Sequence, residues 1–138
     1  MTDIVVNKVQ SIQRCVKRAR EEHAAAGNLA TDHTRQDAAI LNVIRACEQT
    51  IDLTNHLVRR RKLGIPTDTR ETFELLFPEV VDDRDLIEKL KRMVGFRNTA
   101  VHQYQDIDLR VVETVITEGL DDLLTFTDRV METEDAAE

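Results

Sequence analysis

Val5-Val6-Asn7-Lys8-Val9-Gln10-Ser11-Ile12-Gln13-Arg14-Cys15-Val16-Lys17-Arg18-Ala19 is the stretch that sets the fold class. Its apolar positions Val5, Val9, Ile12, Val16 and Ala19 recur at alternating spacings of four and three. That rhythm puts them in one stripe along a helix and leaves the charged residues on the opposite side. The stretch belongs to a first helix predicted over residues 2–25, closed by Gly27-Asn28.

The same rhythm continues down the chain. A second helix starts at Thr31 or Asp32, either suited to cap it, and carries Ile40, Ile44, Cys47, Ile51 and Val58 to about Lys62. Gly64 and Pro66 stop it. A short third helix is capped by Asp68 or Thr69, with Glu71 at capping-box distance from Asp68, and Pro78 closes it. The fourth begins at Asp82-Asp83 and carries Leu86, Leu90 and Met93. The fifth begins near Asp108 and carries Leu109, Val112, Ile116, Leu123, Phe126 and Val130, with Gly119 in phase. A glycine on a buried stripe implies close approach of another helix, as at a subunit contact. The expectation is an all-α, antiparallel bundle of four long helices plus a short fifth, one domain over residues 1–131. The acidic segment 132–138 is expected to fray.

Composition narrows the function. The chain has 138 residues, 33% of them charged and 4% aromatic, with 4 Gly, 2 Pro and no Trp, a mix that favours helix over sheet. The net charge of -7 excludes a generic polyanion binder, because such binding runs on Lys and Arg against phosphate. Any positive patch is local. Arg14, Lys17, Arg18 and Arg20, and the run Arg59-Arg60-Arg61-Lys62, are either such patches or solvated helix faces. Cys15 and Cys47 lack metal-ligand spacing and read as buried free thiols. His23, His33 and His56 are scattered and read as surface residues, and no metal site is expected. The start MTDIVVNKVQ lacks the pattern of a signal peptide, and no apolar run approaches the ~18 residues of a membrane span. The protein is expected to be soluble and cytoplasmic.

Chemistry concentrates in Arg97-Asn98-Thr99-Ala100-Val101-His102-Gln103-Tyr104. Four residues beyond Met93, Arg97 falls on the apolar stripe of the fourth helix. A buried guanidinium needs a carboxylate, a cavity or a bound anion. Glu48, on the stripe edge of helix two, is a candidate partner in a structural ion pair. On a continuous helix, His102 stands about 140° from Arg97, so the two would not share a face. Either the helix loosens after Asn98, helped by β-branched Thr99 and Val101, or Arg and His meet across a two-fold axis between two chains. The expected helix end is Val101, with His102 and Tyr104 on one side of an extended segment. Asn98 can bond a phosphate or cap the fraying helix. Arg holds phosphate at any working pH and His exchanges protons near neutrality. Together they suit RNA cleavage by the 2′-hydroxyl, with no cofactor required.

The triple Arg97, His102 and Tyr104, with polar Asn98 after the arginine, resembles the Arg-x4-His-x-Tyr signature of the HepT toxins of HEPN/MNT toxin–antitoxin pairs. The helical organisation resembles that family along essentially the whole domain. The resemblance implies a metal-independent endoribonuclease of a type VII-like system, dimeric, with Arg97 and His102 catalytic and Asn98 supporting. It also implies a cognate minimal nucleotidyltransferase antitoxin that transfers AMP from ATP to Tyr104. AMP there would place bulk and negative charge beside the site. The alternative is a non-enzymatic helical module that binds a nucleotide or partners a nucleotidyltransferase.

Overall fold

The computed structural model describes residues 3–137. Helix α1 runs Asp3–Ala26 and α2 runs His33–Arg61. The short α3 covers Thr69–Glu74, α4 covers Arg84–His102, and a 3-10 turn follows at Tyr104–Asp106. The last stretch is α5 Leu109–Thr114, a π turn at Val115–Gly119, and α6 Leu120–Ala137. Among the described residues there is no strand, and no helix is long and apolar enough to cross a membrane. The expected all-α bundle of four long helical segments and one short helix is what forms. The expected start at Thr2 lies outside the described residues.

The caps show why the helices begin where they do. Asp32 accepts from the Arg35 amide (3.2 Å), Asp68 from Glu71 (2.8 Å), Asp83 from Leu86 (3.1 Å) and Asp108 from Arg110 (2.9 Å). Each carboxylate satisfies an amide that the first turn leaves orphaned. Lys62 closes α2 in the left-handed region at φ 54°.

The short link over residues 27–32 folds α1 back on α2, and these two pair most extensively. Their stripes, with those of α4 and α6, fill one core that contains Val9, Ile12, Ile40, Leu57, Leu90, Ile116 and Phe126. Phe73 of α3 meets Phe126 edge-on, with centroids 6.4 Å apart, and pins the short helix to the last one.

The π turn explains two observations. It frees carbonyls from the regular ladder. Arg20 of α1 reaches across to donate to the Ile116 carbonyl (3.1 Å) and pairs with Asp121 (2.7 Å). Gly119 lies in this turn. A Cβ there would stand 3.1 Å from Met93 Sδ, so this glycine allows a close approach to α4 of the same chain.

The tail departs from expectation. The sequence reading ended the ordered domain at residue 131 and had 132–138 fray, yet α6 continues to Ala137. Thr133 donates to the Val80 carbonyl (3.0 Å), and Glu134, only 3% exposed, pairs with Arg60 and lies 3.7 Å from Arg61. An acidic sequence looked solvent-bound, but two arginines at the end of α2 hold it. Glu138 lies outside the described residues.

Candidate functional site

α4 buries Leu86, Leu90 and Met93, and its next stripe position is Arg97. The side chain is half-buried against α2. Its Nε is sealed from solvent and has no hydrogen-bond partner among the described residues. It borders a recess of about 190 Å³ with Glu48, Gln49, Ile51 and Asp52 of α2. Glu48 was the candidate ion-pair partner; it shares the recess, but no ion pair joins the two. Gln49 and Asp52 are turned to a different cation. Lys8 of α1 donates to Gln49 Oε1 (3.1 Å) and lies 3.5 Å from Asp52 Oδ2. Arg97 is therefore a half-buried guanidinium with donors to spare, an arrangement that favours a bound anion.

α4 does not loosen after Asn98. Thr99 Oγ1 bonds back to the Gly95 carbonyl (3.2 Å), and the Gln103 amide bonds to the Thr99 carbonyl (2.8 Å). The β-branched residues are accommodated within the helix. The helix ends at His102, in keeping with an expected end around Val101. Asn98 is exposed, four residues before that end, and so does not cap it; Gln103 occupies the cap. His102 is exposed and makes no hydrogen bond or ion pair among the described residues. With the helix unbroken, Arg97 and His102 stand about 140° apart around its axis. One chain does not bring them together.

Tyr104 also departs from expectation. Residues 102–104 are not extended. Gln103 has φ -132° and ψ 39°, and Tyr104 opens the 3-10 turn. The turn carries the half-buried ring back onto the bundle, where its hydroxyl donates to Asp37 Oδ1 in the first turns of α2. Burial pushes the phenol up to about 12, helped by the hydrogen bond to Asp37 and its negative charge. Asp37 escaped the sequence analysis because the contact joins residues 67 apart in sequence. The available signal was that a lone, partly apolar tyrosine at a helix end needs a hydrogen-bond partner.

Half of the basic-cluster residues are committed to contacts within the fold. Arg20 braces the π turn, Arg18 lies 3.8 Å from Glu22, and Arg60 and Arg61 face Glu134. Arg14, Lys17, Arg59 and Lys62 are exposed. His33 is a surface residue, as expected, and His23 is half-buried, 3.9 Å from Glu113. His56 is half-buried: its Nε2 is sealed from solvent with no hydrogen-bond partner among the described residues, and desolvation, then the charges of Arg60 and Arg59, hold its pKa down. Cys47 is buried and Cys15 half-buried, both free thiols.

The sequence profile described as "Ribonuclease HepT-like" matches residues 9–130. The chain is 41% identical over 128 residues to the mRNA nuclease HepT of Shewanella oneidensis, covering 93% of this chain and 96% of that protein. Its fold superposes on the tri-AMPylated Shewanella oneidensis HEPN toxin solved in complex with its MNT antitoxin. The TM-score is 0.88 at 40% identity, over 96% of this chain and 99% of that one. A toxin–antitoxin crystal structure with AMP-PNP matches at TM-score 0.88 and 39% identity, over 95% of this chain and 99% of that one. With its bundle, its Arg97–His102–Tyr104 spacing and a match of this extent, the chain belongs to the HepT-like ribonuclease family.

Proposed function

We propose that this protein is the RNA-cleaving toxin of a toxin–antitoxin pair, with Arg97 and His102 catalytic, Asn98 supporting, and Tyr104 the residue through which it is silenced. The observation that carries the reading is Arg97, a half-buried guanidinium with no carboxylate partner among the described residues, on the helix that ends in an open histidine. A phosphodiester is the anion that this cation fits. In the reaction the 2′-hydroxyl of RNA attacks the adjacent phosphorus and the 5′-oxygen leaves. His102 moves protons between these oxygens, and Arg97 stabilises charge on the phosphorane-like transition state. No step in this scheme uses a metal.

The active form is a homodimer. Because α4 stays helical through His102, a second chain is the remaining way to place an imidazole opposite a guanidinium. Two large apolar side chains are open on the same helices: Val101, 44% exposed, beside His102, and Leu41, 45% exposed, one turn beyond Asp37. Such side chains suit burial against a second copy.

Silencing is AMP transfer from ATP to Tyr104 by a minimal nucleotidyltransferase antitoxin. The modified relative, solved with its MNT antitoxin, supports this reading. AMP on a residue two positions from His102 places bulk and negative charge where RNA phosphates would enter. The pair acts in the cytoplasm, on RNA.

The test is cleavage of total cellular RNA by the purified protein in chelator, alongside His102→Ala. Cleavage by the parent and a loss of ~100-fold or more in the variant is expected. Protein that binds ATP but leaves all RNA intact would instead identify a non-enzymatic module.

A further inference from the structure

Tyr104 and Asp37 are 67 residues apart in sequence, and a single hydrogen bond joins them at the edge of the bundle. We propose that Asp37 is the general base for nucleotidyl transfer to Tyr104, so that the toxin supplies part of the machinery of its own silencing. This rests on the reading that Tyr104 is the acceptor.

The chemistry poses a problem that Asp37 solves. The nucleophile is Tyr104 Oη, and its environment holds the proton on it. A phenol kept neutral is a weak attacking group, so the proton must leave as the new bond forms. Among the described residues Asp37 is the group hydrogen-bonded to that hydroxyl, and the sole charged group acting on it. The bond runs in the useful direction: Oη–H donates to Oδ1, which leaves the lone pairs of Oη free for an incoming phosphorus. The bond from Oη to the α-phosphorus of a nucleoside triphosphate forms. The bond from that phosphorus to the bridging oxygen breaks, and pyrophosphate leaves. The phenolic proton passes to the Asp37 carboxylate and from there to water, since Asp37 is exposed. As Oη bonds to phosphorus its proton becomes strongly acidic, so a carboxylate suffices to take it. The same bond fixes the rotamer of the tyrosine on α2, presenting one oxygen to the partner enzyme.

The experiment uses the full-length chain, its cognate nucleotidyltransferase and ATP, with quenched time points read by intact mass. The chains compared are the wild type, Asp37→Asn, Asp37→Glu and Tyr104→Phe. Asp37→Asn is expected to slow the first AMP addition by ~100-fold, and Asp37→Glu to stay within ~10-fold of the wild type. A base role also alters the pH profile. The ratio of wild-type to Asp37→Asn rates should fall by about tenfold per pH unit as hydroxide takes over proton removal. RNA cleavage by unmodified Asp37→Asn, and its thermal midpoint, should match the wild type, which separates a lost base from a damaged fold. Equal rates and parallel pH profiles for wild type and Asp37→Asn would overturn the proposal and reduce Asp37 to an anchor for the ring. A wild-type chain that takes up no AMP on Tyr104 would overturn the underlying reading, a result distinct from a slow Asp37→Asn.

Discussion

Arg97 and His102 occupy one unbroken helix, five residues and about 140° apart, the first half-buried against α2 and the second open at the helix end. Among the described residues nothing bends them toward each other. The catalytic reading therefore makes a demand that sequence motifs alone do not: the two groups must come from different subunits.

That demand is testable by mixing dead proteins. Arg97→Ala and His102→Ala should each lose RNA cleavage by ~100-fold or more. Unfolded together and refolded at equal ratio, half of the dimers are mixed. Each mixed dimer holds one site with both groups intact, so about a quarter of wild-type activity should return. Arg and His working from the same subunit would return none.

Tyr104→Phe keeps the ring and removes the hydroxyl. The surface hydrogen bond to Asp37 is lost, at a cost within about 1 kcal/mol. RNA cleavage should stay within about threefold of wild type, because the hydroxyl has no part in proton transfer to RNA. AMP-sized mass increments should vanish and co-expression of the antitoxin should no longer relieve growth arrest. Relief that persists without the hydroxyl would point to occlusion of the site by the bound partner.

Glu134 offers a stability test. Burial pushes its carboxyl up, but the hydrogen bond and charge of Arg60, with the charge of Arg61, hold it below its ordinary 4.5 overall. A depressed folded-state value means that the carboxylate stabilises the fold above the unfolded value, and that this contribution fades as pH falls through the folded one. Glu134→Gln should cost about 1–3 kcal/mol at pH 7, a range that allows for the part-exposed arginines. The gap in thermal midpoint from the wild type should narrow below about pH 4. Equal midpoints at pH 7 would show that α6 does not depend on this contact.

Cys47 and Cys15 should differ toward alkylating reagents. Burial drives the Cys47 thiol up to about 12, only partly offset by the nearby charge of Arg97. Cys15 is half-buried and also raised by burial, with Arg45 and Arg14 pulling it back. In native protein, Cys15 should be labelled slowly and Cys47 only on unfolding, as mass spectrometry of the separate peptides would show.

The helices were legible because a periodic stripe and a capping carboxylate are local signals. Val5 to Ala19 and the caps at Asp32, Asp68, Asp83 and Asp108 each act within a turn or two. Arg97 was legible as an inward residue for the same reason. What escaped depended on contacts remote in sequence. Tyr104 turns back because Asp37 receives it. Glu134 is ordered because Arg60 and Arg61 wait at the end of another helix, and Arg20 is spent on a carbonyl that the π turn frees. Glu48 stood at the right place to pair with Arg97, yet adjacency on a stripe did not become an ion pair.

The commitment of Arg20, Arg60 and Arg61 to contacts within the fold has a thermodynamic consequence for any nucleic acid bound here. Each phosphate neutralised on binding a single strand releases counterions and adds about -0.7 to the slope of log affinity against log salt concentration. Arginines spent on the fold add nothing to that slope, whereas the exposed Arg14, Lys17, Arg59 and Lys62 remain to add to it. The salt response of RNA binding would then count the cations left free, and would fall short of what the full number of basic residues in the two clusters would give.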